Sequence, residues 1–134
     1  MTIQSESHVL TTSATPHALE EFELLLAKVW SAGSHIPELI RMQVGIAVGE
    51  IGANIIKHGG SVNVRMEVKA LPNEVWVEFQ DDGIPVEVDL NNISMPEDLA
   101  ETGRGLALAQ AALAQLSYRR NTVNHWTLVS KRFG

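Results

Sequence analysis

The sequence predicts an α+β fold, a two-layer sandwich in which helices cover one face of a mixed or antiparallel sheet. First, the predicted helices and strands segregate along the chain, in the order β-α-α-β-β-loop-α-β-β. Second, the predicted strands alternate apolar and polar residues, as a sheet with one covered face requires. Third, one long helical segment is almost entirely apolar, which is typical of a helix in the middle of the covered layer.

Length and composition narrow the class of protein further. The 134 residues contain no internal repeat or linker, so we expect a single domain over residues 1–134, with residues 1–8 as a candidate flexible N-terminus. The formal net charge of −6 argues against direct binding to nucleic-acid phosphates. The absence of cysteine excludes disulfides, thiolate metal sites and cysteine nucleophiles. No secretory signal is recognisable and no stretch is expected to cross a membrane, so a cytoplasmic location is expected.

The first elements are a strand and an amphipathic helix. Residues 6–13 have the composition of a short strand. Thr15 and Pro16 predict the N-cap and the first-turn proline of a helix. Apolar residues at helical spacing follow from residue 19 to residue 30, and Gly33 is expected to end the helix.

The second helix is expected to begin near Pro37, to reach His58 and to stop at Gly59. It contains three glycines, each of which weakens a helix by up to about 1 kcal/mol relative to alanine. This cost predicts that another part of the molecule packs closely against the helix backbone. The glycines are Gly45, Gly49 and Gly52.

Two strands joined by a turn follow the second helix. Apolar residues alternate with polar ones over residues 62–68 and again over residues 75–79, and Pro72 and Asn73 favour a turn between them. Continuing the alternation by two residues reaches Asp81. The strand pattern therefore predicts that Asp81 projects onto the helix-covered face of the sheet.

The last part of the chain begins with a loop over residues 82–101, in which Ser94 and Glu97 could cap a short helix. A helix over "GRGLALAQAALAQL" is then expected. Its predicted core stripe consists of Leu106, Ala109, Leu113 and Leu116. A hairpin formed by "SYRR" and "HWTLVSKRF" completes the sheet, with Trp126 and Leu128 on one face.

The first candidate functional pair lies in "EIGANIIKHG", residues 50–59. Glu50 and Asn54 are four residues apart and therefore share one face of the helix. A carboxylate beside an amide oxygen suits Mg²⁺, which takes few protein ligands and keeps several waters. The carboxylate could also accept a proton from an attacking hydroxyl or water. Taken alone, such a pair is more often the polar edge of a buried helix, because pairs at this spacing are common.

The second candidate is "DDGIP", residues 81–85, at the end of a strand. A carboxylate on the covered face needs hydrogen-bond donors, and the exocyclic amine of a purine is one such donor. Gly83 would allow a ligand to approach the backbone closely. Taken alone, the stretch is also an ordinary Asp-Gly turn.

The third candidate is "TGRG", residues 102–105, expected to open a helix. Glycines at this place expose backbone N–H groups at the positive end of the helix dipole, where anions bind. Arg104 adds a cation that could contact a terminal phosphate. A flexible joint with an exposed arginine is the plain alternative.

Taken in order, these three stretches resemble the nucleotide-binding motifs of the GHKL ATPases, the superfamily of gyrase, Hsp90, histidine kinases and MutL that shares the Bergerat fold. "EIGANIIKHG" is similar to their N-box, "DDG" to their first glycine box and "GRGLALA" to their second. The length, the element order and the tail "YRRNTVNHWTLVSKR" most resemble the small bacterial anti-sigma-factor serine kinases. The resemblance extends over about residues 10–133.

The resemblance implies a role for each motif. Glu50 would be the general base, and Asn54 would ligate the Mg²⁺ that bridges the ATP phosphates. Asp81, with Gly83 beside it, would accept a hydrogen bond from the adenine amine. Residues 84–102 would be the ATP lid. The remaining nucleotide-binding residues implied by the resemblance are Lys57, His58, Thr102, Gly103, Arg104, Gly105 and Leu106.

Two details of these motifs are open. Lys57 and His58 either touch phosphate or merely end the helix. Pro85 stands where the family's first glycine box has a second glycine, which puts the geometry of the lid hinge in question.

The resemblance implies a protein-serine/threonine kinase that uses ATP and Mg²⁺. Its substrate would be a STAS-type anti-sigma-factor antagonist, and it would sequester a sigma factor or similar target by partner switching, acting as a homodimer without nucleic acid or membrane. The first alternative is a non-catalytic, nucleotide-dependent switch module of the same fold, against which Glu50 argues. The second is an ATPase fragment of a sensor kinase, which would require a dimerising helix for which the chain has no room.

Overall fold

The computed structural model describes residues 6–33, 35–58, 60, 63–86, 90 and 101–134. Within these residues the elements follow the predicted order. They are β1 (Glu6–Ser13), α1 (His17–Ala32), α2 (Glu38–His58), β2 (Asn63–Ala70), β3 (Val75–Asp81), α3 (Glu101–Ala112), β4 (Gln115–Arg120) and β5 (Asn124–Val129).

The strands form one five-stranded sheet in the order β1-β2-β3-β5-β4. Each neighbouring pair is antiparallel. The α+β prediction is therefore confirmed, and of the two sheet types that the sequence allowed, the antiparallel one is found. The register places Phe79 of β3 between Met66 of β2 and Trp126 of β5, so large apolar side chains line up across the central strands.

The core lies between the inner face of this sheet and the helices. Phe79, Trp126, Met66 and Ile51 are completely buried, and Phe22 of α1 is 1% exposed. The ring of Phe22 meets that of Phe79 edge-on, with ring centroids 5.1 Å apart. Full burial of such a side chain contributes about 1.5–3 kcal/mol. This packing fixes the helices on the inner face, towards which Asp81 at the end of β3 also projects.

The ends of α1 agree with the prediction at one terminus only. Gly33 ends the helix as expected, and its N–H donates to the Val29 carbonyl. At the other end the prediction of Thr15 as a side-chain cap was wrong. Pro16 occupies the N-cap position and no side chain caps the helix, because the Thr15 carbonyl already accepts the N–H of Ala18 in a tight first turn.

The third helix is displaced towards the N-terminus relative to the prediction. It begins at Glu101 and ends at Ala112, so Leu113 lies in the turn and Leu116 lies in β4. All four residues of the predicted stripe are nevertheless buried and belong to the core. The short helix expected at Ser94 and Glu97 lies outside the described residues.

Helix α2 is long and apolar enough, by length and composition, to cross a membrane over Glu38–Lys57. The expectation that no stretch reaches this length was therefore wrong. Its small residues and few charges give this segment a high hydropathy, yet 44% of it is buried inside the fold. Val48 and Ile51 belong to the core, which is typical of the central helix of a globular domain.

The glycines of α2 divide into two groups. A Cβ on Gly52 would lie 3.0 Å from Cδ2 of Phe22, so this glycine allows the close packing that the sequence predicted. The same expectation was wrong for Gly45 and Gly49, where an added Cβ meets no atom of the described residues within 4 Å. Both line an apolar groove of about 440 Å³ between α1 and α2.

We expect Gly49→Ala to stabilise the protein by up to about 1 kcal/mol, because alanine lowers the conformational cost of the helix and meets no neighbour in the part of the chain that the structure describes. Gly52→Ala makes the same chemical change and should destabilise it, because the Phe22 ring must move. Urea unfolding of both variants checks the pair. Equal destabilisation by the two substitutions would contradict the open groove at Gly49.

Candidate functional site

Helix α2 presents the Glu50 carboxylate directly to the backbone of α3. A Cβ on Gly105 would lie only 2.7 Å from Oε2 of Glu50, so any larger residue there would displace the carboxylate. Glu50 is half-buried. The fold thus brings together the first and the third of the candidate motifs, which are 55 positions apart in the sequence.

Asn54 lies one helical turn beyond Glu50 and is half-buried. Its side-chain oxygen Oδ1 is buried and has no hydrogen-bond partner among the described residues. An unsatisfied buried acceptor costs about 1–3 kcal/mol, and native structures rarely retain one without a reason. A ligand atom or a cation that contacts Oδ1 would remove this cost.

The donor set at Asn54 fits Mg²⁺ rather than a cation that needs a full protein cage. An amide oxygen is a hard ligand, and Mg²⁺ commonly combines one or two protein oxygens with waters and substrate phosphates. In the part of the chain that the structure describes, no group of three or more His, Cys, Asp or Glu side chains could hold a metal ion. A cation bound here would therefore need oxygens from its ligand or from water.

Asp81 confirms the alternation argument, because it lies at the end of β3 on the inner face and is only 3% exposed. Its Oδ1 accepts the backbone N–H of Gly83 at 3.0 Å and Nδ2 of Asn124 at 3.0 Å. Gly83 is also buried. The carboxylate is therefore held by two donors at the start of the segment expected to form the lid.

Sequence reasoning did not identify the residues of the β4–β5 hairpin that lie around Asp81. Asn124 of β5 is fully buried and stands opposite Asp81 in the β3–β5 register. Tyr118 and Arg120 of β4 both donate to Oδ1 of Asn124. A signal was present, since counting back by two from the inward-facing Trp126 places a polar residue, Asn124, on the covered face.

The "TGRG" stretch opens a helix, as the sequence predicted. It lies within the first turn of α3, which begins at Glu101, two residues before the expected start at Gly103. The first four N–H groups of a helix have no intrahelical acceptor, so those of Gly103 and Arg104 still point out of the N-terminus. Arg104 is exposed, whereas Leu106 is 3% exposed and belongs to the core.

The other predicted site residues are less fully described. Lys57 is exposed in the last turn of α2. The side chains of His58 and Thr102 lie outside the described part of the structure, and the roles implied for these two residues and for Gly103 stay predictions. The structure therefore groups the predicted residues into two clusters, Glu50 with Gly105 and Asp81 with Gly83.

Comparison with known families identifies the type of domain. The family model described as histidine kinase-like ATPase domain matches residues 12–131, nearly the whole chain. The matched region contains both clusters. No curated protein matches the chain.

Proposed function

The chain belongs to the family of histidine kinase-like ATPase domains, and we propose that it is a kinase that transfers the γ-phosphoryl group of ATP to a serine or threonine of a partner protein. Membership of the family implies ATP binding. The observation that carries the finer assignment is the Glu50 carboxylate held against Gly105, at the N-terminal end of α3, and one turn from the unsatisfied Asn54 oxygen. A module that only binds nucleotide does not need a carboxylate at this place.

Several residues of the chain each have a separate role in phosphoryl transfer. The acceptor hydroxyl oxygen forms a bond to the γ-phosphorus, its proton passes to the Glu50 carboxylate, and the bond to the β-phosphate oxygen breaks to release ADP. The free N–H groups at the start of α3 and the Arg104 guanidinium bind phosphate oxygens. Asp81 accepts a hydrogen bond from the adenine amine. Mg²⁺, held by Asn54, would neutralise charge on the phosphates.

The partner in this proposal is a STAS-type anti-sigma-factor antagonist. The chain phosphorylates the antagonist and sequesters a sigma factor or similar target by partner switching, as a homodimer in the cytoplasm. Support comes from the resemblance in length, element order and C-terminal tail to small anti-sigma-factor serine kinases. The family match supports the assignment as an ATPase domain and gives no information about the partner.

A capture experiment tests the kinase assignment. The tagged full chain is incubated with extract of its native cell in ATP or in ADP, and captured proteins are analysed for phosphoserine and phosphothreonine. A STAS-type protein phosphorylated only in ATP, and only by the chain with Glu50 intact, is the expected result. ATP binding without phosphate on any captured protein would overturn the kinase and favour the non-catalytic switch module.

The Gly105→Ala variant probes the geometry of the base. We expect little change in unfolding free energy, because the new methyl group meets the end of a flexible side chain, but the Glu50 carboxylate must move. A displacement of about 1 Å can reduce a transfer rate about 100-fold. Single-turnover phosphorylation measures the loss, and Gly49→Ala, a helix glycine with open space, is the matched control. A rate equal to that of the control would show that the contact does not position the base.

A further inference from the structure

We propose that Asn124 is a positioning residue that fixes the orientation of the Asp81 carboxylate and thereby sets the preference for adenine over guanine nucleotides. The inference rests on the proposed role of Asp81 in nucleotide binding. Asn124 does not act alone, because Tyr118 and Arg120 hold it in turn. These three side chains are called the hairpin clamp below.

The amide of Asn124 uses its whole hydrogen-bonding capacity inside the protein. Its Nδ2 donates to Oδ1 of Asp81 at 3.0 Å and to the carbonyl of Ile84 at 2.8 Å. Its Oδ1 accepts the Tyr118 hydroxyl and Nη1 of Arg120. An asparagine amide offers two donor hydrogens and two lone pairs, and all four are engaged. The orientation with nitrogen towards Asp81 is therefore fixed.

The hairpin clamp also binds the backbone that follows Asp81. Arg120 donates to the Gly83 carbonyl at 2.8 Å, and the Tyr118 hydroxyl accepts the N–H of Val86 at 2.9 Å. Pro85, between these contacts, has no N–H to donate. Side chains of the hairpin thus supply hydrogen bonds on both sides of the proline, where the expected lid begins.

A fixed carboxylate discriminates between the purines by its chemistry. The ionised carboxylate only accepts hydrogen bonds. Adenine presents an amine donor where guanine presents a carbonyl oxygen, so the carboxylate binds the first and is repelled by the second. This discrimination holds only while the carboxylate points at the base. Loss of the Asn124 donor would remove one of the hydrogen bonds that orient the carboxylate and so loosen its alignment with the base.

The sharpest test is Asn124→Asp, which keeps the shape and both acceptor contacts to Tyr118 and Arg120. It removes the donors to Asp81 and to the Ile84 carbonyl and sets two carboxylates side by side. We expect ATP affinity to fall about 10- to 100-fold, with GTP affinity nearly constant, in competition titrations of the full chain with Mg²⁺ present. Asn121→Asp, the same change in the exposed turn of this hairpin, should leave both affinities unchanged.

The outcomes separate the inference from the proposal on which it rests. If the Asn124→Asp protein folds and its ratio of ATP affinity to GTP affinity is unaltered, the positioning role alone is overturned. Failure of the unsubstituted chain to bind either nucleotide overturns both. If Asn124→Asp does not fold, Tyr118→Phe keeps the bond between Asn124 and Asp81 and removes one orienting contact. The ratio of ATP affinity to GTP affinity should then fall about threefold. An unchanged ratio would count against the hairpin clamp.

Discussion

Replacing Glu50 by glutamine should reduce phosphoryl transfer by about 10²- to 10⁴-fold, the usual contribution of a general base, while ATP affinity stays within about twofold. Glutamine has the same length as glutamate. Its side chain can therefore keep the close approach to Gly105 that Oε2 of Glu50 makes. It cannot take the proton of an attacking hydroxyl. The chemical step is therefore lost and the binding step is kept.

The measurement for Glu50→Gln combines ATP titration with single-turnover phosphorylation of a captured partner. Glu23→Gln makes the same change of charge at an exposed position of α1 and serves as the control. Transfer at the unsubstituted rate in Glu50→Gln would remove the base from the mechanism. A parallel loss of ATP affinity would instead assign Glu50 to binding.

Asp81→Asn should weaken ATP binding by about 1–3 kcal/mol, which corresponds to about 5- to 150-fold. The amide oxygen can replace Oδ1 and still accept the hydrogen bonds from Gly83 and Asn124. The amide nitrogen then occupies the position of the second carboxylate oxygen. A donor would face the adenine amine, itself a donor, so the fold is kept while recognition of the base is lost.

Calorimetric titration with ATP measures this effect directly. Asp82→Asn is the matched control, because the neighbouring side chain is exposed and accepts the backbone N–H of Asn63 at 3.0 Å. We expect ATP affinity to be unchanged in the control. Unchanged affinity in Asp81→Asn as well would contradict the assignment of Asp81 to the base.

The features predicted correctly from the sequence depend on local periodicity. The alternation in β3 places every second side chain on the inner face, so the burial of Asp81 follows from Val75 and Val77 alone. The placement of Glu50 and Asn54 on one face of α2 follows from the helical repeat in the same way. Such patterns repeat within a few residues and need no knowledge of the rest of the fold.

Other features depend on residues that are distant in the chain. The contact of Glu50 with Gly105 requires the packing of α2 against α3, and the role of Asn124 requires the register of β5 against β3. The open space at Gly49 depends on how far α1 lies from α2. No local pattern contains these distances, which explains why the expectation was wrong for Gly45 and Gly49 and why the hairpin clamp was missed.

The central claim is that an adenine nucleotide binds beside Asn54 and Asp81, and NMR titration of the ¹⁵N-labelled full chain with Mg·ADP tests it most directly. We expect saturable shifts in the side-chain amides of Asn54 and Asn124 and in the backbone amide of Gly83, with Gly45 and Gly49 unaffected. The absence of any shift at millimolar nucleotide, or shifts confined to the groove at Gly45 and Gly49, would contradict the claim.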